Sequence, residues 1–336
     1  MVFASPRARA PRKSALISSF FWLALAVCVA RFVLPQCAAG GFAHANAPFS
    51  PPVPSGTSIA AHSPDPARLG PGGADRASET PAPVGSGEPS RSIHLALGVP
   101  KDADPSDDHL LDEGSFVVSY SPLKHGPNWV AWRLDRSYLG HVHRRNDFRP
   151  DPALPSEFYH VSERDYLHSG YDRGHMCPSA DREDTPEDNS TTFVFTNMEP
   201  QLHELNAGPW EKFERYEREL AERPGSVLYI VAGGVFSNPS PTIGEGVAVP
   251  AANFKIVVVL SEGQRASDVN EQTEVLSVLM PNQPGVGQHD WTEFLTSVDA
   301  IERATGYDFL NAVAEPVQRV IEARTARPAR VSRAER

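Results

Sequence analysis

Cysteine is scarce in this chain of 336 residues, which contains only Cys28, Cys37 and Cys177. Cys28 lies inside an apolar N-terminal run, and Cys37 follows just after it. If that segment is removed, Cys177 stands alone, which excludes a framework of intrachain disulfides. We therefore expect the fold to be held together by its hydrophobic core.

Acidic residues are absent before Asp65, and the four Arg and one Lys among the first 64 residues give that segment a charge of +5. Residues 65–92 hold three Arg and four acids. Because the whole chain carries a net charge of −11, residues 93–336 carry −15. Such an acidic region cannot attract a polyanion through its overall field. A nucleic-acid substrate would therefore require a local basic cluster and a metal ion.

The N-terminus is basic over residues 1–14 and apolar and uncharged over residues 15–30. This order is typical of a secretory signal peptide, and small-residue cleavage sites follow at Ala39 and Ala47. The run is shorter than the roughly 20 residues of a free-standing membrane span, although residues 32–34 could extend it. We expect export, secreted or periplasmic, with no stable membrane partner after cleavage. A membrane anchor and a mitochondrial presequence are the alternatives.

Composition divides the chain into four parts. Residues 1–40 are the signal peptide or anchor, and residues 41–92 are rich in Pro, Gly, Ala and Ser without apolar periodicity. Such a segment cannot bury enough surface to offset its ordering entropy, so we expect a disordered tether. Residues 93–323 form the expected folded domain, and residues 324–336 form a basic, disordered tail. No internal repeat is visible.

Periodicity within residues 93–323 predicts strands and helices in mixed order. Two apolar runs around a turn-like LKHGPN predict a β-hairpin. A polar, proline-containing loop is expected over residues 144–155. Further strands are expected at residues 193–196, 227–231, 254–260 and 275–280, and helices at residues 207–222 and 291–305.

The stretch from Gly170 to Glu214 carries the residues with chemical potential. His175 can accept a proton from water near pH 7, because the unperturbed histidine pKa is about 6.5. Asn206 offers a neutral carbonyl oxygen to Mg²⁺, which keeps most of its waters and can be bound through few protein ligands. Glu214 lies eight positions later, about two helical turns on, where it can accept hydrogen bonds from those waters. Together these groups predict a metal-dependent phosphodiesterase.

Each residue also has an ordinary explanation. His175 could be a hydrogen-bonded turn histidine, Asn206 a helix N-cap and Glu214 a solvated helix residue. Taken singly, each ordinary explanation is the better one. The functional interpretation depends on their joint occurrence and on the specific residues between them.

These intervening residues resemble the DNA/RNA non-specific endonucleases, the endonuclease G-like nucleases with a ββα-metal core. The resemblance covers roughly residues 93–315 and implies an α+β fold with a central, mostly antiparallel sheet flanked by helices. The matching segments are Asp172–His175, Thr196–Gln201, Leu205-Asn206 with Trp210 and Glu214, and, on either side, Arg144–Arg149, Val249-Pro250, Phe254-Lys255, Met280–Asn282, Ile301-Glu302 and Thr305-Gly306.

The resemblance implies a role for each matched residue. His175 would be the general base, Asn206 the metal ligand and Glu214 the acceptor for the hydrating waters of Mg²⁺, with Mn²⁺ as a substitute. Arg145 resembles the arginine that stabilises the phosphate. Asp172 and Arg173 would orient the histidine segment and contact the scissile region, or form a purely structural salt bridge. The remaining candidates are placed among the substrate-contacting residues: Arg144 and Arg149, which are close enough to Arg145 to take the phosphate role, and Asn197, which would alternatively fix the histidine or its loop.

The stretch from Arg133 to Arg149 supplies the local basic cluster, with five Arg against two Asp. His141 and His143 alternate with Val142, but no third residue has matching spacing, so we interpret them as a surface pair rather than a metal site. Cys177, two places after His175, is interpreted as packing.

The predicted activity is cleavage of DNA and RNA without sequence preference, because phosphate contacts carry no sequence information. One alternative is a nuclease-like module that has lost catalysis and only binds. Another is a hydrolase of a different phosphodiester, such as a small nucleotide or a lipid headgroup. A homodimer is a further expectation.

Overall fold

The structure is a computed structural model that describes residues 92–326. Its main feature is a six-stranded, fully antiparallel sheet in the order β1-β2-β3-β6-β9-β10. These strands are β1 (His109–Asp112), β2 (Val117–Ser121), β3 (Gly126–Asp135), β6 (Ser226–Val235), β9 (Ala252–Ser261) and β10 (Glu274–Pro281). The predicted hairpin is β2–β3, and the apolar runs at residues 227–231 and 254–260 are neighbouring strands inside the sheet, so these predictions are confirmed.

The sheet has an apolar layer on each face, because successive side chains in a strand point to opposite sides. On one face, Val130, Trp132 and Val257 pack under a helix that contributes Phe213 and Leu220. On the other face, strand residues pack against two C-terminal helices. Two-sided cover explains why the inner strands are apolar almost throughout and show no polar alternation.

A separate two-stranded hairpin lies on the face that holds Trp132. It consists of β4 (Asp172–His175) and β5 (Met198–Gln201), and it is followed by α3 (His203–Leu205), a π-helical turn at Asn206–Trp210, and α4 (Glu211–Ala221). Two strands followed by a helix form the local unit that the resemblance implies. The fold is thus α+β.

The remaining elements are short. They are the helices α1 (Glu163–Tyr166), α2 (Pro186–Thr191), α5 (Val298–Thr305) and α6 (Glu315–Glu322), and a small hairpin formed by β7 (Thr242–Ile243) and β8 (Val247–Ala248).

The strand predicted at residues 193–196 is wrong. Val194 forms one isolated bridge to Arg149, and a 3-10 turn at Phe195–Asn197 follows it before β5 begins. Phe193, Val194 and Phe195 are all buried, so the segment is apolar because it is enclosed on every side and not because it belongs to a sheet. A short apolar run cannot distinguish these cases.

The single helix predicted at residues 291–305 is divided. A 3-10 turn covers Trp291–Phe294, and the chain is then extended, with the Thr296 N–H donating to the Ser277 carbonyl of β10 at 2.9 Å. Ser297 caps α5 by accepting from the Ala300 N–H, and Gly306 closes it with a φ of 87°. The predicted end of the helix is confirmed, and its start is wrong by seven residues.

Within residues 92–326, no helix is long and apolar enough to cross a membrane. The predicted signal peptide or anchor, most of the tether and residues 327–336 lie outside the described residues. Arg324, which the sequence places in the tail, donates to the carbonyl oxygens of Glu271 and Thr273 at 2.8 and 2.7 Å.

Candidate active site

The β4–β5 hairpin fixes the relative positions of the predicted site residues. His175 pairs with Met198, and Asp172 pairs with Gln201 at the end of β5. The chain leaves β5 at Leu202 and turns at once into α3, which returns Asn206 to Asp172. His175 is the last residue of a regular strand and not a turn histidine.

His175 is held between two aromatic rings. Its ring lies 5.0 Å from Phe193 and 5.8 Å from Phe148, both edge-on, and the residue is 7% exposed. Nε2 is buried and makes no hydrogen bond within residues 92–326. The packing fixes the orientation of the imidazole and leaves one ring nitrogen without a partner.

The pKa of His175 is lowered to about 3, mainly by burial and then by the positive charges of Arg144 and Arg173. A backbone hydrogen bond with Arg173 acts in the opposite direction. The imidazole is therefore neutral at pH 7, which is the form that a general base requires.

Asn206 lies at the start of the π-helical turn, where Gly208 has the non-helical angles φ −110° and ψ −117°. Its Nδ2 donates to Asp172 Oδ2 at 3.0 Å, and that oxygen also accepts a hydrogen bond from His203 Nδ1 at 2.8 Å. The side-chain carbonyl oxygen of Asn206, Oδ1, makes no hydrogen bond within residues 92–326. Asp172 thus orients the amide and leaves its oxygen free.

Glu214 extends from the first turns of α4 and is 8% exposed. Lys255 of β9 lies beneath it, with Nζ 3.6 Å from Glu214 Oε1 and 3.3 Å from Glu217 Oε2. The pKa of Glu214 is raised by burial, while Lys255 and Arg218 oppose that rise. The ammonium of Lys255 thus favours the charged form of Glu214 and acts against the effect of burial.

Lys255 was missed as a site residue, although the sequence contains a signal for it. It is the one charged residue in the apolar run of residues 254–260, and it is fully buried. Its ammonium lies 4.4 Å from the Trp210 ring and 5.4 Å from that of Trp132. Breaking a buried pair by removing one partner typically costs about 3–5 kcal/mol, so Lys255 couples the stability of the domain to the position of Glu214.

A cleft of about 400 Å³ opens at Asp172 and Asn206, and neither His175 nor Glu214 is among its lining residues. Arg144, Arg173, Asp172, Asn206 and Phe148 all contribute to its walls. Arg173 stacks on the Phe148 ring at 4.0 Å, and Arg144 stacks on Phe193 at 4.8 Å. The two rings that hold His175 therefore also hold the two guanidinium groups.

Arg144 and Arg145 have different surroundings. Arg144 donates to Ser179 Oγ at 2.7 Å. Burial lowers the pKa of its guanidinium, and the negative charge of Glu214 acts against that decrease. Within residues 92–326, Arg145 donates only its backbone N–H, to Asn189 Oδ1, and its side chain does not line the cleft. The structure thus places Arg144, and not Arg145, beside His175 and Glu214.

The side chains of Arg149 and Asn197 make their hydrogen bonds to other groups of the domain. Arg149 donates to the Ser190 carbonyl at 2.9 Å and pairs with Asp147 at 3.4 Å. Asn197 is fully buried. Its Oδ1 accepts from the Cys177 N–H, and its Nδ2 donates to the carbonyl oxygens of Cys177 and Thr192. All its hydrogen-bonding groups are thus used within the protein. Asn197 positions the segment after His175, and its contact with substrate stays a prediction from the sequence.

A hard divalent cation fits the donor set. The free carbonyl oxygen of Asn206 and the carboxylates of Asp172 and Glu214 are all oxygen donors, which Mg²⁺ prefers. Cys177, whose pKa burial raises to about 12, is a buried thiol unsuited to binding such an ion. His141 and His143 are exposed and belong to no metal-binding group within residues 92–326.

Residues 98–315 match the model of the DNA/RNA non-specific endonuclease family. Among curated proteins, a nuclease of Nostoc sp. is 44% identical over 241 residues, covering 70% of this chain and 87% of its own length. Human mitochondrial endonuclease G is 30% identical, covering 60% of this chain and 69% of its own.

The mitochondrial nuclease EXOG of Danio rerio is 36% identical, and the match covers 59% of this chain and 60% of that protein. Among solved structures, a chain of the EndoG/EndoGI complex, described in terms of EndoG inhibition, aligns with a TM-score of 0.57 and 25% identity. That match covers 67% of this chain and 92% of the other.

Proposed function

The chain belongs to the DNA/RNA non-specific endonuclease family, and from this premise we propose that it is a Mg²⁺-dependent nuclease that cuts DNA and RNA internally through contacts to the backbone. The observation that carries the proposal is the cleft in which Arg144, Arg173 and Asn206 meet beside the neutral imidazole of His175. Residues 93–336 carry −15, and Arg144 and Arg173 bring positive charge to a cleft whose walls also include Asp172 and Glu163, the latter paired with Arg173 at 2.9 Å. Nucleic acid is the substrate class that this site and the family share.

His175 acts as the general base of the proposed reaction. The neutral ring takes a proton from the water that attacks the phosphorus atom. Arg144 and Arg173 lower the basicity of His175 in the free protein. A bound phosphodiester carries negative charge between these groups and offsets that effect, so the base becomes stronger when substrate is present.

Arg144 and Arg173 bind the phosphate oxygens and stabilise the charge that develops on them. Their stacking on Phe193 and Phe148 fixes both guanidinium groups before substrate arrives. Such fixed donors need little reorganisation during the reaction, which is the basis of electrostatic catalysis.

Asn206 would hold the metal ion through its side-chain oxygen, with Asp172 holding the amide in place. When bound, the ion supplies positive charge to the phosphate and to the departing oxygen. Glu214 would accept hydrogen bonds from waters on the ion, and Lys255, with Nζ 3.6 Å from Glu214 Oε1, favours its charged form. Mn²⁺ has the same preference for oxygen ligands and would substitute.

Digestion of supercoiled plasmid and of structured RNA, with and without EDTA, tests the proposal. We expect both substrates to be cut to fragments in Mg²⁺ and neither in EDTA. Nucleic-acid binding without cutting in Mg²⁺ or Mn²⁺ would indicate the binding module instead. Cutting of small phosphodiesters but not of plasmid or RNA would indicate the other hydrolase.

Arg144→Ala should lower the rate of plasmid cleavage by about 10²–10³-fold, the usual effect of losing one charge-stabilising donor. Arg145→Ala should remain close to the unchanged protein, because its side chain lies outside the cleft. Initial rates in saturating Mg²⁺ compare the two variants, and Arg144→Lys should recover only part of the loss because lysine lacks the planar fork.

The two arginines are adjacent in the chain, so Arg145→Ala is a matched control for the loss of one positive charge. A large defect in Arg145→Ala with a small one in Arg144→Ala would return the phosphate role to Arg145. The possible homodimer and the cellular destination remain predictions from the sequence.

A further inference from the structure

A second group of acidic side chains lies on the opposite face of the main sheet from His175. Helices α5 and α6 pack on this face through Ile301 and Ile321. Asp299 stands in the first turn of α5, Glu302 follows one turn later, and Glu322 ends α6. We name Asp299, Glu302 and Glu322 the α5–α6 carboxylate cluster.

The α5–α6 carboxylate cluster has the spacing of a metal site. One carboxylate oxygen from each residue lies within 4.8 Å of the other two. Within residues 92–326, none of the three carboxylates forms a salt bridge. The positive charge of Arg303 acts on Glu302, but the two form no ion pair.

Glu322 provides the independent evidence that a ligand belongs there. The residue is 5% exposed, and its Oε1 is buried without a hydrogen-bond partner in the described part of the chain. It lies at the C-terminal end of α6, where the helix dipole disfavours negative charge. Burial, together with the negative charges of Glu302 and Asp299, raises its pKa to about 8.

In its charged form, a buried acid at a helix C-terminus facing two other acids is costly unless a cation compensates it, and otherwise the group keeps a proton. Glu302 Oε1 also accepts the Phe309 N–H at 3.0 Å, whereas the Oε1 of Glu322 has no hydrogen-bond partner within residues 92–326. Three oxygens this close together match a shared cation, which would displace the proton from Glu322.

We propose that the α5–α6 carboxylate cluster binds one Ca²⁺ ion that joins α5 to α6, separately from the catalytic metal. Oxygen atoms on opposite sides of a Ca²⁺ ion bound at 2.3–2.6 Å lie about 5 Å apart, which accommodates the observed spacing. Mg²⁺ prefers shorter distances and near-ideal octahedral geometry, so it requires a more exact placement of the three oxygens than Ca²⁺ does. Waters complete the coordination on the partly exposed side formed by Asp299 and Glu302.

The ion would stabilise the packing of the C-terminal helices against the sheet. Its three ligands come from two helices that are adjacent in space but separated by the segment from Gly306 to Ala314. Binding of Ca²⁺ to the folded state alone then raises the melting temperature. The inference does not rest on the proposed nuclease mechanism.

Calorimetric titration of the EDTA-treated, full-length Asn206→Ala variant with Ca²⁺ tests the site, because this background lacks the proposed catalytic ligand. We expect one bound Ca²⁺ and a rise in melting temperature of roughly 5–10 °C when Ca²⁺ exceeds its Kd by about 100-fold. Adding Glu322→Gln should abolish both effects while leaving the Ca²⁺-free melting temperature equal or higher, since it removes a buried charge.

Glu315→Gln in the same background is the matched control, since Glu315 is an exposed acid at the other end of α6, with 79% of its side chain accessible. It should bind Ca²⁺ unchanged. Should Glu322→Gln fail to fold, Asp299→Asn, at a half-buried position, should weaken binding in its place. Absence of Ca²⁺ binding, or equal binding in the Glu322→Gln and Glu315→Gln variants, overturns the proposal.

Discussion

Replacement of His175 by alanine should lower the rate of plasmid cleavage by about 10²–10⁴-fold, the usual contribution of a general base. The two guanidinium groups and Asn206 remain in the cleft of this variant, so substrate affinity should change little. Loss of rate without loss of binding is the expected signature of a base.

His175 is packed between Phe148 and Phe193, so the alanine variant contains a cavity the size of the ring. Free imidazole should enter this cavity and restore part of the rate in a concentration-dependent way. Melting temperature and filter binding to a short duplex are the controls for fold and affinity. A folded variant that nicks plasmid at nearly the original rate would remove His175 from the mechanism.

The pH dependence of folding stability gives a second measure of the His175 imidazole. The pKa of His175 is about 3 in the folded protein, against an ordinary value of about 6.5. The ring is therefore neutral in the free protein from pH 7 down to about pH 4. In the unfolded chain it gains a proton below about 6.5, so this group contributes to loss of stability as pH falls through that range.

Much of the sheet was predictable from the sequence because its strands are long and apolar. The runs at residues 227–231 and 254–260 are inner strands whose burial on both faces leaves a continuous apolar pattern. The end of α5 was equally clear, because Gly306 adopts the left-handed conformation that favours glycine.

The position of the cleft arginine was not predictable to a single residue. Arg144 and Arg145 are adjacent in an irregular segment, and neighbouring side chains there need not share a direction. Arg144 turns inward because Ser179 and the Phe193 ring receive its guanidinium. These contacts come from segments 35 and 49 residues away in the chain, which no local pattern reveals.

Lys255 illustrates the same limit from the other direction. A charged residue inside an apolar strand indicates that a buried partner exists, but the sequence does not identify that partner. Glu214 and Glu217 of α4 supply that partner, and Glu217 precedes Lys255 by 38 residues in the chain. Only the packing of α4 on the sheet shows that the lysine supports Glu214.

The metal dependence of two variants should differ in kind. Asn206→Ala removes the proposed direct ligand, and increased Mg²⁺ should not restore its activity at any practical concentration. Glu214→Gln keeps hydrogen-bonding capacity toward the hydrating waters but loses a negative charge. Its activity should therefore recover in part as Mg²⁺ is raised, since only the attraction for the cation is weakened.

The Glu214→Gln substitution has a further effect through Lys255, whose ammonium lies 3.6 Å from Glu214 and 3.3 Å from Glu217. Glu217 still pairs with the ammonium in this variant, so the fold should persist, and its melting temperature checks that. The decisive measurement is a Mg²⁺ titration of the initial plasmid-cleavage rate for both variants beside the unchanged protein. Equal defects that Mg²⁺ fully rescues would show that neither side chain binds the ion directly, and the catalytic metal would then have to be sought elsewhere in the cleft, with Asp172 as the next ligand to test.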